Sequence, residues 1–251
     1  MSNIIYGKNP VVEALEAGQS INKIYLASGH KNLVDKKIIQ LARQNGVPVR
    51  EVDRRKLVDI AGHDKTQGVV AVVMEYAYAS IEDIFKNSQN KNEAPLLAIL
   101  DEIQDPHNFG AIIRSAEAFG FHGIIISKDR SVGITETAVK TSAGAVAHLP
   151  IARINNLATT IKELKKRNVW IAGTDQDAKE ALFEADLNRS LAIVIGSEGK
   201  GMRRLVKENC DFLVRIPMVG KINSLNASVA AALVFCEARR QREALDVARG
   251  A

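Results

Sequence analysis

Cysteine is nearly absent from this chain. Its two cysteines, Cys210 and Cys236, have no CxxC spacing and no nearby histidine pair. A zinc site and a disulfide scaffold are therefore not expected, and both residues read as small buried hydrophobes in a reducing compartment. Long apolar runs are missing too. No stretch of about 18 apolar residues occurs, so no membrane-spanning helix is expected. The N-terminus, MSNIIYGKNPVVEALEAG, lacks a basic region leading into an apolar stretch. A secretory signal is thus not expected, and the expected location is cytoplasmic. Nor does one sign of charge dominate, since 34 Lys and Arg face 29 Asp and Glu for a net +5. That balance permits a polyanionic partner without demanding one. With 251 residues, 46% hydrophobic and 25% charged, the composition excludes disorder, collagen-like repeats and low-complexity fibres. One large domain or two small ones remain.

What is present is an alternation of strands and helices in two blocks. Up to about Met74, helical patterns at 10–17, 33–42 and 54–60 separate apolar strands at 24–26, 47–52 and 68–74, a compact α/β unit. The run Gly68-Val69-Val70-Ala71-Val72-Val73-Met74 is continuous and β-branched, as in a strand buried on both faces. Residues 77–94 change character. Asn87 to Glu93 is polar and lacks apolar periodicity, so a linker is expected there, ending at Pro95. Beyond it, apolar runs at 96–100, 123–126, 169–172, 191–195 and 212–216 alternate with helical patterns at 111–119, 135–143, 156–167 and 201–208. A last helix is expected from about Asn226 to Ala248. This alternation predicts a mostly parallel sheet covered by helices, with ligands in the loops at the carboxyl ends of the strands.

Three of those loops carry unusual residues. After 96–100 comes Asp101-Glu-Ile-Gln-Asp-Pro-His-Asn-Phe-Gly110, with Asn108 in a cap position before a helix bearing Arg114 and Glu117 at i, i+3. On spacing alone, a capped helix with a surface ion pair accounts for it. After 191–195 comes Gly196-Ser-Glu-Gly-Lys-Gly201. Three glycines in six residues let the backbone approach a ligand closely, and the amides there suit a polar or anionic group. The order is neither a dinucleotide fingerprint nor a Walker loop. A tight turn is the plainer reading, although Glu198 between glycines speaks for a purpose. After 212–216 comes Ile216-Pro-Met-Val-Gly-Lys-Ile-Asn-Ser-Leu-Asn226, with a polar cluster of Asn223, Ser224 and Asn226 before an alanine-rich helix. Asn226 or Ser224 is the expected cap of that helix.

In this order and at suitable intervals, NFGAIIRSAEAFG, IVIGSEGKGM and IPMVGKINSLNASVAAAL resemble the three signature motifs of the SpoU/TrmH family of RNA ribose 2′-O-methyltransferases. The resemblance covers 95–245. Residues 1–76, with His63 and Gln67-Gly68 before the last strand, resemble the family's L30e-like substrate-binding domain. Length and layout look most like the subgroup that methylates a guanosine of 23S ribosomal RNA. The resemblance implies an α/β fold with a C-terminal domain, 95–251, whose mostly parallel sheet is tied into a trefoil knot of the SPOUT type. Pattern alone gives an ordinary doubly wound sheet, because general topology rules treat knots as rare.

The resemblance further implies S-adenosylmethionine, bound bent by loops around Thr174, Gly196, Gly199, Ile216, Met218, Ser224 and Leu225. It implies a catalytic cluster of Asn108, Arg114, Glu198 and Asn226, no metal and no membrane, ribosomal RNA as partner, and a homodimer through the C-terminal domain. The family gives the arginine the role of general base. A guanidinium stays protonated at neutral pH, so gripping a phosphate and stabilising a developing alkoxide is an equal reading of Arg114. Glu198 is expected to orient Arg114 or Asn108 rather than take the proton. Transfer RNA is the alternative substrate. An oxidoreductase would need a fingerprint after the first strand of a domain, and neither domain has one. A non-catalytic RNA-binding protein would leave the three polar loops without a reason.

Overall fold

A computed structural model describes residues 4–17, 19, 21–29, 32–73, 77–221 and 224–249, with side chains in the last helix described to Glu243. Asn223 lies outside the described residues. The chain forms two compact units, one of residues 1–77 with 105–107 and 132–140, the other of 78–104, 108–131 and 141–251.

The first unit contains β1 (Ile4–Tyr6), α1 (Lys8–Glu16), β2 (Ile21–Ala27), α2 (Leu33–Gln44), β3 (Val49–Val52), α3 (Arg54–Ala61) and β4 (Val69–Val73). Its sheet runs β1-β4-β2-β3. The valine-rich β4 is interior and buried as expected, but it pairs antiparallel with both neighbours, and only β2 and β3 are parallel. Val11 and Leu15 of α1 and Ile38 and Ala42 of α2 pack on one face with Val69 and Ala71. On the other face Leu57 of α3 packs on Ala27 and Val70. Two helices thus cover one side, and eight residues of helix the other.

From residue 78 come α4 (Ile81–Asn90), β5 (Leu96–Leu100), α5 (Pro106–Ala118), β6 (Gly123–Ser127), α6 (Glu136–Thr141), β7 (Ile151–Ile154), α7 (Leu157–Lys166), β8 (Trp170–Thr174), β9 (Glu180–Ala181), β10 (Leu191–Ile195), α8 (Arg204–Glu208), β11 (Phe212–Arg215) and α9 (Ala227–Arg249). All pairings of the seven-stranded sheet are parallel, in the order β7-β6-β5-β10-β8-β11-β9. The five expected apolar runs are all strands. Four-residue β7, interrupted by Arg153, and two-residue β9 are too short to leave a pattern.

Three expectations need correction. The segment 77–94 is not an irregular linker, because most of it is α4. Ser80 and Asp83 form a reciprocal capping box at its start. Ile84 is wholly buried among Leu97, Ile99 and Ile125, with Ile81 and Phe85 packed alongside. The contact is close enough that a Cβ on Gly123 would lie 2.5 Å from Ile84 Cγ1. Asn108 does not precede the helix either. Pro106 occupies the first helical position, and Asp105 Oδ1 accepts from the His107 amide at 2.9 Å, so Asn108 sits inside the first turn. Finally, Cys210 is half-buried, its thiol pushed up to about 12 chiefly by burial, but Cys236 is exposed.

His122, just before β6, is fully buried and accepts from the Leu96 amide through Nδ1 at 3.0 Å. Burial, and then the positive charges of Lys91, Arg242 and Arg239, push it down to about 4. The Glu93 carboxylate 3.4 Å from Nε2 faces solvent and does not offset this. Protonation is therefore easier in the unfolded chain, whose histidine titrates near 6.5. Stability should be unaffected by His122 above pH 6.5 and fall as pH drops from there towards 4, by up to about 3 kcal/mol. Denaturant titrations at several pH values should show that dependence flattened in His122→Asn, whose amide oxygen can still accept from Leu96.

Candidate active site

The three unusual loops meet at the carboxyl end of the parallel sheet. Glu198 comes from the loop after β10, Asn108 from the first turn of α5 and Asn226 from the cap of α9, yet they form one cluster. Glu198 Oε1 accepts from Asn108 Nδ2 at 3.1 Å, from Asn226 Nδ2, and from the Ala227 amide at 3.1 Å. Asn226 Nδ2 also donates to Asn108 Oδ1 at 2.9 Å. Asn226 is the cap of α9, as expected. Its Oδ1 accepts from the Ser228 amide at 2.9 Å, the Ser228 hydroxyl at 2.6 Å and the Val229 amide at 3.3 Å. Those bonds aim the Asn226 amide nitrogen at Glu198 and Asn108. Among the described residues Glu198 Oε2 has no partner, so it stays available to a ligand hydroxyl or cation.

Loop 196–201 is a tight turn, and the turn is what presents Glu198. Ser197 and Gly201 exchange backbone bonds of 3.1 and 2.9 Å, with Gly199 and Gly201 at φ of +75° and +65°. Gly196 has a different reason to be glycine. A Cβ there would lie 2.3 Å from Gly201 C and 2.5 Å from the Met202 amide nitrogen. Its close approach is to the chain itself, not only to a ligand. Sequence reasoning missed the group that fastens the far end of this loop. Asp101, wholly buried at the tip of β5, accepts from the Arg203 amide and from Arg203 Nε, both at 2.7 Å. An acidic residue directly after five buried apolar ones was the available signal.

Beside the cluster lies an open cleft. Thr174, Gly196, Gly199, Ile216, Met218, Ser224 and Leu225 all line it, together with Glu198 and the unanticipated Asp175, Ile195, Val214 and Ala230. Ile195, Val214, Ile216, Met218 and Leu225 give it apolar walls. Its polar edge is partly committed: Thr174 donates to the Val194 carbonyl at 3.0 Å, and Asp175 pairs with Lys207 at 2.6 Å. Apolar walls and sparse polar groups suit a nucleoside-bearing small molecule, and the Glu198 carboxylate suits a cationic sulfonium. Arg114 projects from α5, exposed, and the surface pair with Glu117 does not form among the described residues. It is the one member of the expected catalytic cluster without a bond to the others.

Both the sequence and the fold resemble those of known proteins. The profile of the SpoU rRNA methylase family matches residues 95–236, and that of RNA 2′-O ribose methyltransferase substrate binding matches residues 4–79. YacO of Bacillus subtilis (strain 168), assigned by its name to the TrmH family of tRNA/rRNA methyltransferases, is 48% identical over 238 residues, 95% of each chain. The SpoU methyltransferase AviRb from Streptomyces viridochromogenes, solved with AdoMet, is 27% identical at a TM-score of 0.62, covering 96% of this chain and 90% of its own. An AdoMet-bound rRNA methyltransferase from Sinorhizobium meliloti is 26% identical at a TM-score of 0.60, covering 95% and 87%. The fold is that of the knotted SpoU methyltransferases, with a smaller substrate-binding unit ahead of it. The chain belongs to the SpoU rRNA methylase family and is an RNA methyltransferase of the SpoU/TrmH kind.

The two kinds of glycine in the turn should respond differently to substitution. Gly196→Ala forces the loop open, so melting temperature and S-adenosylmethionine affinity should fall together. Gly199→Ala meets no atom within 4 Å and bears only the positive-φ cost, about 1–2 kcal/mol. Calorimetry beside thermal unfolding checks this; a Gly196→Ala protein as stable as wild type would show that the loop has slack.

Proposed function

We propose that this protein transfers the methyl group of S-adenosylmethionine to a ribose 2′-hydroxyl, that of a guanosine in 23S ribosomal RNA. The observation that carries the reading is the convergence of Asn108, Glu198 and Asn226 beside a cleft lined by every residue expected to touch the cofactor. The residues present fit that cofactor: Ile216, Met218 and Leu225 offer apolar walls that would hold it, and Thr174, Ser224 and the 196–201 backbone would supply polar contacts. When bound, it supplies an electrophilic methyl group on a sulfonium.

The chain's task is to orient an RNA hydroxyl and handle its proton. Fixed orientation alone lowers such barriers by up to about 7–11 kcal/mol. Asn108 and Asn226, locked through Glu198 Oε1, present a rigid polar wall. Glu198 Oε2 can accept from the hydroxyl. The guanidinium of Arg114, unpaired among the described residues, takes an adjacent phosphate bidentately and stabilises the developing alkoxide. The first unit, with 11 Lys and Arg against 8 Asp and Glu in residues 1–76, captures the RNA. Two copies pair through the second unit, where α9 leaves Val229 and Leu233 exposed four residues apart.

Arg114→Ala should bind S-adenosylmethionine normally and lose nearly all methyl transfer to bulk ribosomal RNA. Arg114→Lys should rescue little, since a point charge cannot make the bidentate contact. Mapping 2′-O-methylation across ribosomal and transfer RNA with and without the protein identifies the target. A mark confined to transfer RNA, or near-normal turnover by the lysine variant, would overturn the corresponding part of this reading.

A further inference from the structure

The helix-poor face of the first unit's sheet carries side chains that the proposed methyl transfer leaves unused. Strand register puts Tyr6 opposite Val70, Val70 opposite Tyr25 and Tyr25 opposite Arg50, one row across all four strands. Directly opposed residues share a face. Val70 and Tyr25 pack with Leu57 of α3, so the row lies on the α3 side. Its members are spaced by the interstrand distance, about 4.8 Å. At the edge strand Tyr6 is 45% exposed, and at the other end Arg50 is exposed.

The Tyr6 ring is held in place. His63 meets it edge-on, with ring centroids 4.1 Å apart and planes at 77°. His63 Nδ1 accepts from the Lys65 amide at 3.2 Å, and among the described residues its buried Nε2 has no hydrogen-bond partner. The loop that carries His63 turns through Gly62, Gln67 and Gly68 at φ of 74°, 50° and 80°. Gln67 is not a glycine, and strain of that kind persists where surrounding contacts enforce it. Here Gln67 Oε1 accepts from the Lys8 amide at 3.2 Å.

We propose that Tyr6, backed by His63, is a stacking platform for an unpaired base of the RNA substrate, and that Arg50 takes a phosphate of the same strand. The proposal rests on the reading that the first unit captures RNA. An exposed ring on a sheet, stiffened by a second ring, offers what a splayed-out base needs, while a continuous duplex keeps its bases stacked inside. The excess of cations over carboxylates in this unit and the match of residues 4–79 to a substrate-binding family favour RNA over an uncharged aromatic ligand.

The test uses full-length protein with a fluorescent single-stranded oligoribonucleotide and a fully paired RNA duplex. Tyr6→Leu should weaken single-strand binding roughly tenfold, while Tyr6→Phe binds like wild type. Neither should change duplex binding, S-adenosylmethionine affinity or melting temperature. Arg50→Ala should flatten the slope of log affinity against log salt by about 0.7, and Tyr6→Leu should not. Wild-type affinity of Tyr6→Leu for the single strand, or equal losses on both RNAs, overturns the platform. If the wild-type protein binds neither RNA, the capture reading itself fails. If it binds RNA and Tyr6→Leu is silent, capture stands and only the platform falls.

Discussion

One carboxylate oxygen fastens three segments of the second unit together. Oε1 of Glu198 accepts three N–H groups, from Asn108, Asn226 and Ala227. These belong to the helix starts that follow β5 and β11, while Glu198 lies in the turn after β10. No local preference brings residues 90 and 118 positions apart into contact. Strand order does so, because β10 pairs with β5 on one side and with β8 on the other, and β8 pairs with β11. Hydrogen bonds to a charged acceptor are about twice as strong as neutral ones. Removing the carboxylate would release three donors at once, so Glu198 is both part of the site and its clasp.

That clasp works only if the turn bearing it cannot drift. Gly196 lets the two ends of the turn touch, and buried Asp101 ties Arg203 to the tip of β5. The loop is thus tied to β5 from below by an ion pair and to α5 from above by Asn108. A buried carboxylate is costly unless paired, and here both of its oxygens are engaged. The same economy of space recurs on the helix side of the sheet, where Gly123 admits Ile84 of α4.

Much of this was legible in the sequence, for reasons that particular residues make plain. Runs such as Leu96 to Leu100 and Leu191 to Ile195 are buried along their whole length, which a continuous apolar pattern reports directly. The polar loops were visible because glycine, asparagine and glutamate are costly beside such strands. Helix α4 was hidden. Its stripe of Ile81, Ile84, Phe85 and Ser88 is only four residues, diluted by Asn87, Gln89 and Asn90, although Ser80 and Asp83 marked its start. Asn108 was misplaced because its own capping preference outweighed Pro106, whose fixed φ opens the helix two residues earlier. The knot was not readable from pattern at all and entered through resemblance, since threading leaves no periodic trace.

The two units differ in how their surfaces are encoded. Much of the cleft is lined by short segments, 196–199 and 216–218 with 224–225, whose residues are neighbours in sequence. Tyr6 and Arg50, the exposed ends of a row whose middle members Val70 and Tyr25 pack with α3, come from different strands and align only when register is set. Register in turn depends on which face is buried, and a one-residue slip of β1 would exchange Tyr6 for Ile5 on that face. Burial of Ile5 against the α1 and α2 layer and of Ile4 against α3 resists the slip from both sides. The hydrophobic residues of a three-residue strand therefore decide where its one exposed aromatic ring points, which makes the surface of this unit a consequence of its core.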